Sequence, residues 1–190
     1  MEYLSLLISP GSIKMDLIKL KAIQNWSAPT NIKAVRSFIR FCNFYWKFIP
    51  GFSDLAKPLL SLTHKHAQWQ WFIDHEKAFL KIKKAFLRQP ILTFPTHLKP
   101  FFMMTNTSLT TSKGVLVQKD SNRDLHPCAY FSKTFTPTKC NYNIYNHELL
   151  VVIHALSEWH QYLLSTTHPV TILTNHKNLT YFKKLPSLSC

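Results

Sequence analysis

Apolar residues recur at helical spacing in much of the first ninety positions and change to short runs beyond residue 100. Ile32, Val35, Phe38, Ile39, Cys42 and Tyr45 recur three to four residues apart, which predicts an amphipathic helix. Pro29-Thr30-Asn31 supplies its N-cap, and the helix is expected to run through Phe48 until Pro50-Gly51 ends it. A second helix is expected from Asp74 to Gln89, closed by Pro90. Its Ala78, Phe79, Ile82, Ala85 and Phe86 point inward, and Lys77, Lys81, Lys84 and Arg88 outward. Ahead of both, the run Tyr3 to Ile8, then Ser9-Pro10-Gly11 and Ile13, predicts a hairpin at the edge of something larger. Ser61 to Gln70 is polar enough for a linker, with His64 and His66 as surface residues.

From Lys99 the period changes. Phe101 to Thr105, Gly114 to Gln118 and Cys128 to Ser132 read as strands, with a turn over Asp120 to Asp124. A helix-period stretch follows from Asn141 to Leu164, with Tyr145, Leu149, Val152, Ile153, Leu156, Trp159 and Leu163 on one stripe. Val170 to Thr174 reads as a fourth strand. The first and fourth strands are both expected to be buried, and they end at Asn106 and Asn175. Glu148 lies at the margin of the helical stripe in an early turn, where it either faces the strand ends or is a carboxylate favoured by the positive end of a helix. The order strand, strand, strand, helix, strand brings Asn106, Glu148 and Asn175 to one edge.

With 190 residues and 46% hydrophobic content the chain is globular, with room for one or two domains. Its longest apolar stretch, near Leu149 to Ile153, is far shorter than the roughly 20 residues of a membrane helix. No signal peptide is evident at Met1, so an intracellular setting, cytoplasm or nucleus, without membrane contact is expected. Cys42, Cys128, Cys140 and Cys190 form no C-x-x-C pair and the 10 histidines show no zinc-finger spacing, which argues against a disulfide framework or a zinc site. The formal net charge of +14 points to a polyanionic partner. Lys33, Arg36, Arg40 and Lys47 gather on one face of the first helix and could follow a phosphate backbone; a solvated surface face would show the same pattern.

The run from Phe38 to Ser53, FIRFCNFYWKFIPGFS, continued by Lys57-Pro58-Leu59, resembles the reverse-transcriptase thumb of Ty3/Gypsy-type retrotransposon polyproteins. The likeness continues through Ala78-Phe79, Pro90-Ile91-Leu92, His126-Pro127-Cys128-Ala129-Tyr130-Phe131-Ser132-Lys133, Asn141-Tyr142, Glu148-Leu149-Leu150 and Thr174-Asn175-His176-Lys177-Asn178-Leu179. The resemblance implies an α+β chain: a helical thumb and connection segment, then a truncated RNase H-like mixed α/β domain. The expected division is 1–28 for the end of the palm and thumb hairpin, 29–62 for the helical thumb, 63–95 for linker and connecting helix, and 96–190 for the RNase H-like domain. The polymerase palm and its aspartates would lie upstream, and the last RNase H strand, helix and acid would lie beyond Cys190.

In that family the catalytic acids hold Mg2+, and clustered carboxylates are needed to keep two divalent ions about 3.5–4 Å apart. The resemblance places Glu148 on the second acid position, whereas Asn106 and Asn175 stand where aspartates are typical. An amide supplies no anion, so no metal and no cofactor are expected in this chain, and no catalysis. The implied partner is nucleic acid, an RNA–DNA hybrid or DNA, with no small-molecule substrate. Other departures share a direction: Ser5 and Arg40 stand where glycine is typical, Trp46 and Cys140 where arginine is, Thr107 where alanine is, and Lys139 where glutamate is. Each follows from one G-to-A or C-to-T change, as expected of a gene hypermutated by cytosine deamination or a repeat-silencing process and then left without selection. Asp-to-Asn and Glu-to-Lys changes each raise the net charge, so part of the +14 is expected to be mutational residue and not a binding surface.

Overall fold

The computed structural model describes residues 2–3, 6–65, 67–88, 91–164 and 166–174, and within them the chain forms two sheets over two apolar cores. The expected hairpin is present as β2 (Leu6–Ser9) and β3 (Ser12–Met15), turned at Gly11 with φ +75°, a conformation glycine adopts at little steric cost. β1 (Glu2–Tyr3) extends it on one side. On the other side β4 (Leu92–Thr93) pairs antiparallel with β3, so the stretch expected as a connector returns to the N-terminal sheet.

Between β3 and β4 lie four helices. α1 (Leu17–Gln24) is capped by Asp16, which accepts a hydrogen bond from the Ile18 N–H. α2 (Ile32–Phe44) starts at Asn31, whose side chain accepts from the Ala34 N–H, as the sequence predicts. It does not run through Phe48. Tyr45 leaves helical geometry and its N–H bonds Cys42 O, and the chain tightens into a 3-10 turn over Trp46–Phe48. α3 (Phe52–Ser61) starts from Gly51 at φ +63° and tolerates Pro58 inside it. α4 (Ile73–Leu87) buries Ala78, Phe79, Ile82 and Phe86 and exposes Lys77, Lys81, Lys84 and Arg88, as expected. Phe38, Tyr45, Phe79 and Phe86 meet in the resulting core, with the Phe38 and Phe79 rings 4.8 Å apart.

The second sheet has the order β7-β6-β5-β8. β5 (Phe101–Thr107), β6 (Thr111–Lys119) and β7 (Leu125–Thr134) are antiparallel neighbours, and β8 (Thr171–Leu173) lies parallel to β5. A register shift at Leu116/Val117 leaves Cys128 unpaired beside Pro127 on the edge strand, where a proline removes no ladder bond the sheet needs. β8 is exposed along its length, not buried: it forms the other edge, and its flank is open among the described residues.

α5 (Pro137–Cys140) precedes the helix expected from Asn141 to Leu164, and α6 (Ile144–Glu158) and α7 (His160–Leu163) stand in place of that single helix. The buried face of α6 also differs. His147, Glu148, Val151, Val152 and Ala155 face the sheet, whereas Tyr145 is 56% and Ile153 52% exposed. Among the described residues nothing covers that outer flank.

The two cores are joined directly. The Ser53 N–H donates to Ser132 Oγ at 3.0 Å while Ser53 Oγ donates to the Ser132 carbonyl at 2.8 Å, fastening α3 to β7. Lys113 on β6 pairs with Asp54 on α3. Lys47 in the 3-10 turn pairs with Glu158 at 3.2 Å, a partly exposed contact worth about 0–1 kcal/mol.

Close packing fixes one glycine. A Cβ at Gly114 would stand 3.1 Å from the Trp159 ring and 3.2 Å from the Met104 carbonyl. Gly114→Ala should therefore destabilise the chain by about 1–3 kcal/mol, read as a lower urea midpoint at unchanged slope. An unchanged midpoint would refute this packing.

Candidate active site

Side chains alternate across β5, and that alternation sorts the site. Phe101, Met103 and Thr105 lie on the face covered by α6, with Leu116, Phe131, Val152, Ala155 and Trp159. Asn106 is exposed and belongs to the opposite face, with its register partner Lys113. That face looks toward Pro50 and Gly51 of the helical segment, across a cavity of about 440 Å³ that Asn106, Lys113, Tyr130 and Leu173 help to line.

Glu148 sits in the second turn of α6, which starts after Asn143, whose side chain accepts from the Asn146 N–H. It is 6% exposed, so it lies within the sheet-facing surface of the helix and not at the margin of an apolar stripe. Asn106 lines the cavity; Glu148 is not among its lining residues. Asn175 lies outside the described residues, as does His66.

The described positions do not fit a two-ion site. One is an uncharged amide, the other a single buried carboxylate, and among the described residues no group of three or more His, Cys, Asp or Glu stands together. Among the described residues the buried cysteines give no alternative centre. Burial pushes the Cys128 thiol up to about 12 and the Cys42 thiol higher still, so neither is a thiolate at neutral pH.

Of the expected nucleic-acid contacts, Lys33, Arg36 and Arg40 are exposed on α2. The Arg36 guanidinium also donates to the Thr63 carbonyl at 3.2 Å, tying α2 to the end of α3. Lys47 does not extend this row: the helix ends before it and its ammonium faces Glu158.

Sequence reasoning missed a polar chain that links α5, α6 and β6. Lys139 Nζ lies 3.3 Å from His154 Nε2, and a lysine only donates, so Nε2 accepts and Nδ1 carries the proton. Nδ1 then donates to Ser112 Oγ at 3.3 Å, whose hydroxyl donates to the Lys133 carbonyl at 3.2 Å. Next to it His147 Nε2 donates to the Lys139 carbonyl at 2.6 Å while its ring stacks on Phe135 at 4.8 Å. The histidines at 147 and 154, one helical face of α6, were the available signal.

A family model described as the RNase H-like domain found in reverse transcriptase matches residues 71–172. The chain belongs to this family. The transposon Tf2-3 and Tf2-4 polyproteins of Schizosaccharomyces pombe are each 33% identical over 157 residues, which is 83% of this chain and 12% of the relative. The kinship with Ty3/Gypsy-type polyproteins expected from the motifs is thereby established. Among solved structures, foamy viral protease-reverse transcriptase in complex with double-stranded DNA matches with a TM-score of 0.80 at 23% identity, over 98% of this chain and 39% of its own. The same viral protein in complex with an RNA/DNA hybrid matches with a TM-score of 0.79 at 23% identity, over 98% of this chain and 25% of its own. This likeness bears out the α+β class, a helical segment followed by an RNase H-like domain.

Burial, then Lys139 and Lys133, lower the His154 pKa below its ordinary 6.5. The unfolded chain then binds that proton more readily, so this contribution to stability is complete above about 6.5 and is lost as pH falls toward the folded value. Lys139→Gln should raise the His154 pKa and reduce this acid loss, measured by NMR titration of the ring. A pKa unchanged by the substitution would contradict the assigned contacts.

Proposed function

We propose that the chain is a noncatalytic reverse transcriptase/RNase H-like region of a retrotransposon polyprotein, descended from a region with RNA-directed DNA synthesis and RNA–DNA hybrid hydrolysis as its activities. The observation that carries this reading is the amide of Asn106, exposed on the central strand where the family's first carboxylate is typical. Hydrolysis through two divalent ions depends on anionic oxygens to hold them; Glu148 supplies one carboxylate. The fold survives this exchange because an exposed Asn and Asp have nearly the same shape.

Nucleic-acid binding without cleavage is the second reading. It is favoured by the exposed row Lys33, Arg36 and Arg40 and by Lys77, Lys81, Lys84 and Arg88 along α4. The solved foamy viral relatives are complexes with double-stranded DNA and with an RNA/DNA hybrid, which makes a duplex the natural probe. The chain spans 12% of the length of the curated relatives it matches, so the polyprotein's other activities lie outside this proposal.

One experiment addresses both readings: the purified chain is mixed with a labelled RNA–DNA hybrid in Mg2+ or Mn2+. No cleavage is expected, with binding that weakens as salt rises. Replacing Lys33, Arg36 and Arg40 together by alanine should reduce the slope of log K against log salt by about 2–3. Metal-dependent cleavage abolished by Glu148→Gln would overturn the noncatalytic reading, and a slope indifferent to the three cations would remove α2 from the interface.

A further inference from the structure

The cavity between Pro50-Gly51 and the open face of the second sheet has the size and chemistry of a small-ligand site. Its volume of about 440 Å³ falls within the roughly 300–1,000 Å³ of such sites. Met104, Val115 and Leu173 give it apolar walls, and Met104 and Leu173 keep substantial exposure. Tyr130 adds an aromatic ring whose hydroxyl, its pKa raised by burial, stays an O–H donor at neutral pH. No hydrogen bond engages the Asn106 side chain among the described residues, which leaves its carbonyl and NH2 free to serve a ligand.

Among the described residues no carboxylate lines this cavity. Lys113 does, with its ammonium held by Asp54 outside the lining. A cation therefore gains nothing there, and a dehydrated phosphate meets a lysine already paired. What fits is a flat, uncharged group with an apolar face and an edge that both donates and accepts.

Resting on the noncatalytic reading above, we propose that this cavity receives an unpaired adenine base, with the Asn106 amide against its hydrogen-bonding edge and Met104, Val115 and Tyr130 around its ring. An Asn amide matches adenine in this way because its carbonyl accepts from the N6 amino group while its NH2 donates to the adjacent ring nitrogen. Adenine offers this pair on both its N1 and its N7 edges and a two-ring face for the apolar walls, whereas cytosine offers it on one edge of a single ring and uracil and thymine carry an imide N3–H beside a carbonyl in place of the amine. Adenine can arrive as a free nucleoside or as a base in a single strand, and both carry the same edge.

The full 190-residue chain is titrated with adenosine, uridine, oligo(dA) and oligo(dT), followed by Tyr and Trp fluorescence and by NMR of the Asn106 side-chain amide. Adenosine should bind in preference to uridine and shift the Asn106 NH2 resonances. Asn106→Ala should weaken adenosine binding by about five- to 150-fold, and Asn106→Gln should keep part of it. Met104→Trp, which fills the cavity from an exposed position, should abolish it while the thermal transition is retained. Tighter binding of oligo(dA) than oligo(dT), lost in the same variants, assigns the base to a strand; adenosine binding with no such oligonucleotide preference assigns it to a free nucleoside. Equal affinity for adenosine and uridine, or full affinity in Asn106→Ala, overturns the proposal. So does binding of adenosine monophosphate where adenosine does not bind, since that reads charge at Lys113 and not the base. None of these readouts involves cleavage, so hydrolysis of a hybrid would defeat the noncatalytic reading separately.

Discussion

The alternation of β5 is the constraint on which the site depends. Its residues face α6 and the helical segment by turns, so Thr105 enters the α6 core while Asn106 looks across the cavity toward Pro50 and Gly51. A strand pinned from two sides cannot slip by one residue without driving Asn106 into the apolar core. The position of the side chain at 106 is thus fixed by packing, whereas its charge is left to the residue type. A carboxylate exchanged for an amide there changes the chemistry and leaves the sheet intact.

The same logic explains why two bodies of secondary structure act as one. Ser53 and Ser132 exchange two hydrogen bonds, and Lys113 and Asp54 pair beside them at the rim of the cavity. Each partly exposed contact is modest, with net hydrogen bonds worth about 0.5–1.5 kcal/mol. Together they hold α3 against β7. Part of the +14 charge is committed to this docking: Lys47 faces Glu158, Lys113 faces Asp54, and neither is free to meet phosphate as an unpaired cation.

Elements with a clean period were legible in the sequence. The N-cap at Asn31, the inward face of α4 and the three antiparallel strands follow from local spacing and capping chemistry. α1 escaped notice because it is short and exposes Leu17 and Ile18 while burying Leu20 and Ile23. α3 was not singled out by the residue pattern because Pro50-Gly51 reads as the end of a helix, although Phe52, Ala56 and Leu59 repeat at helical spacing and are buried. On α6 both flanks are apolar, so the pattern alone did not single out the one that packs. The sheet chose the flank carrying His147, Glu148, Val151 and Val152, and Glu148 became buried as a result. The polar chain through Lys139, His154 and Ser112 joins residues from three elements, a kind of link that spacing along a chain does not encode.

The claim that the nuclease fold lacks a working metal site is tested most directly by metal binding itself. Mn2+ is titrated into the full chain while NMR follows paramagnetic broadening at Asn106 and Glu148. The account predicts only weak, non-saturating broadening spread over exposed carboxylates. Saturable broadening centred on Asn106 and Glu148 together, lost in Glu148→Gln, would contradict it.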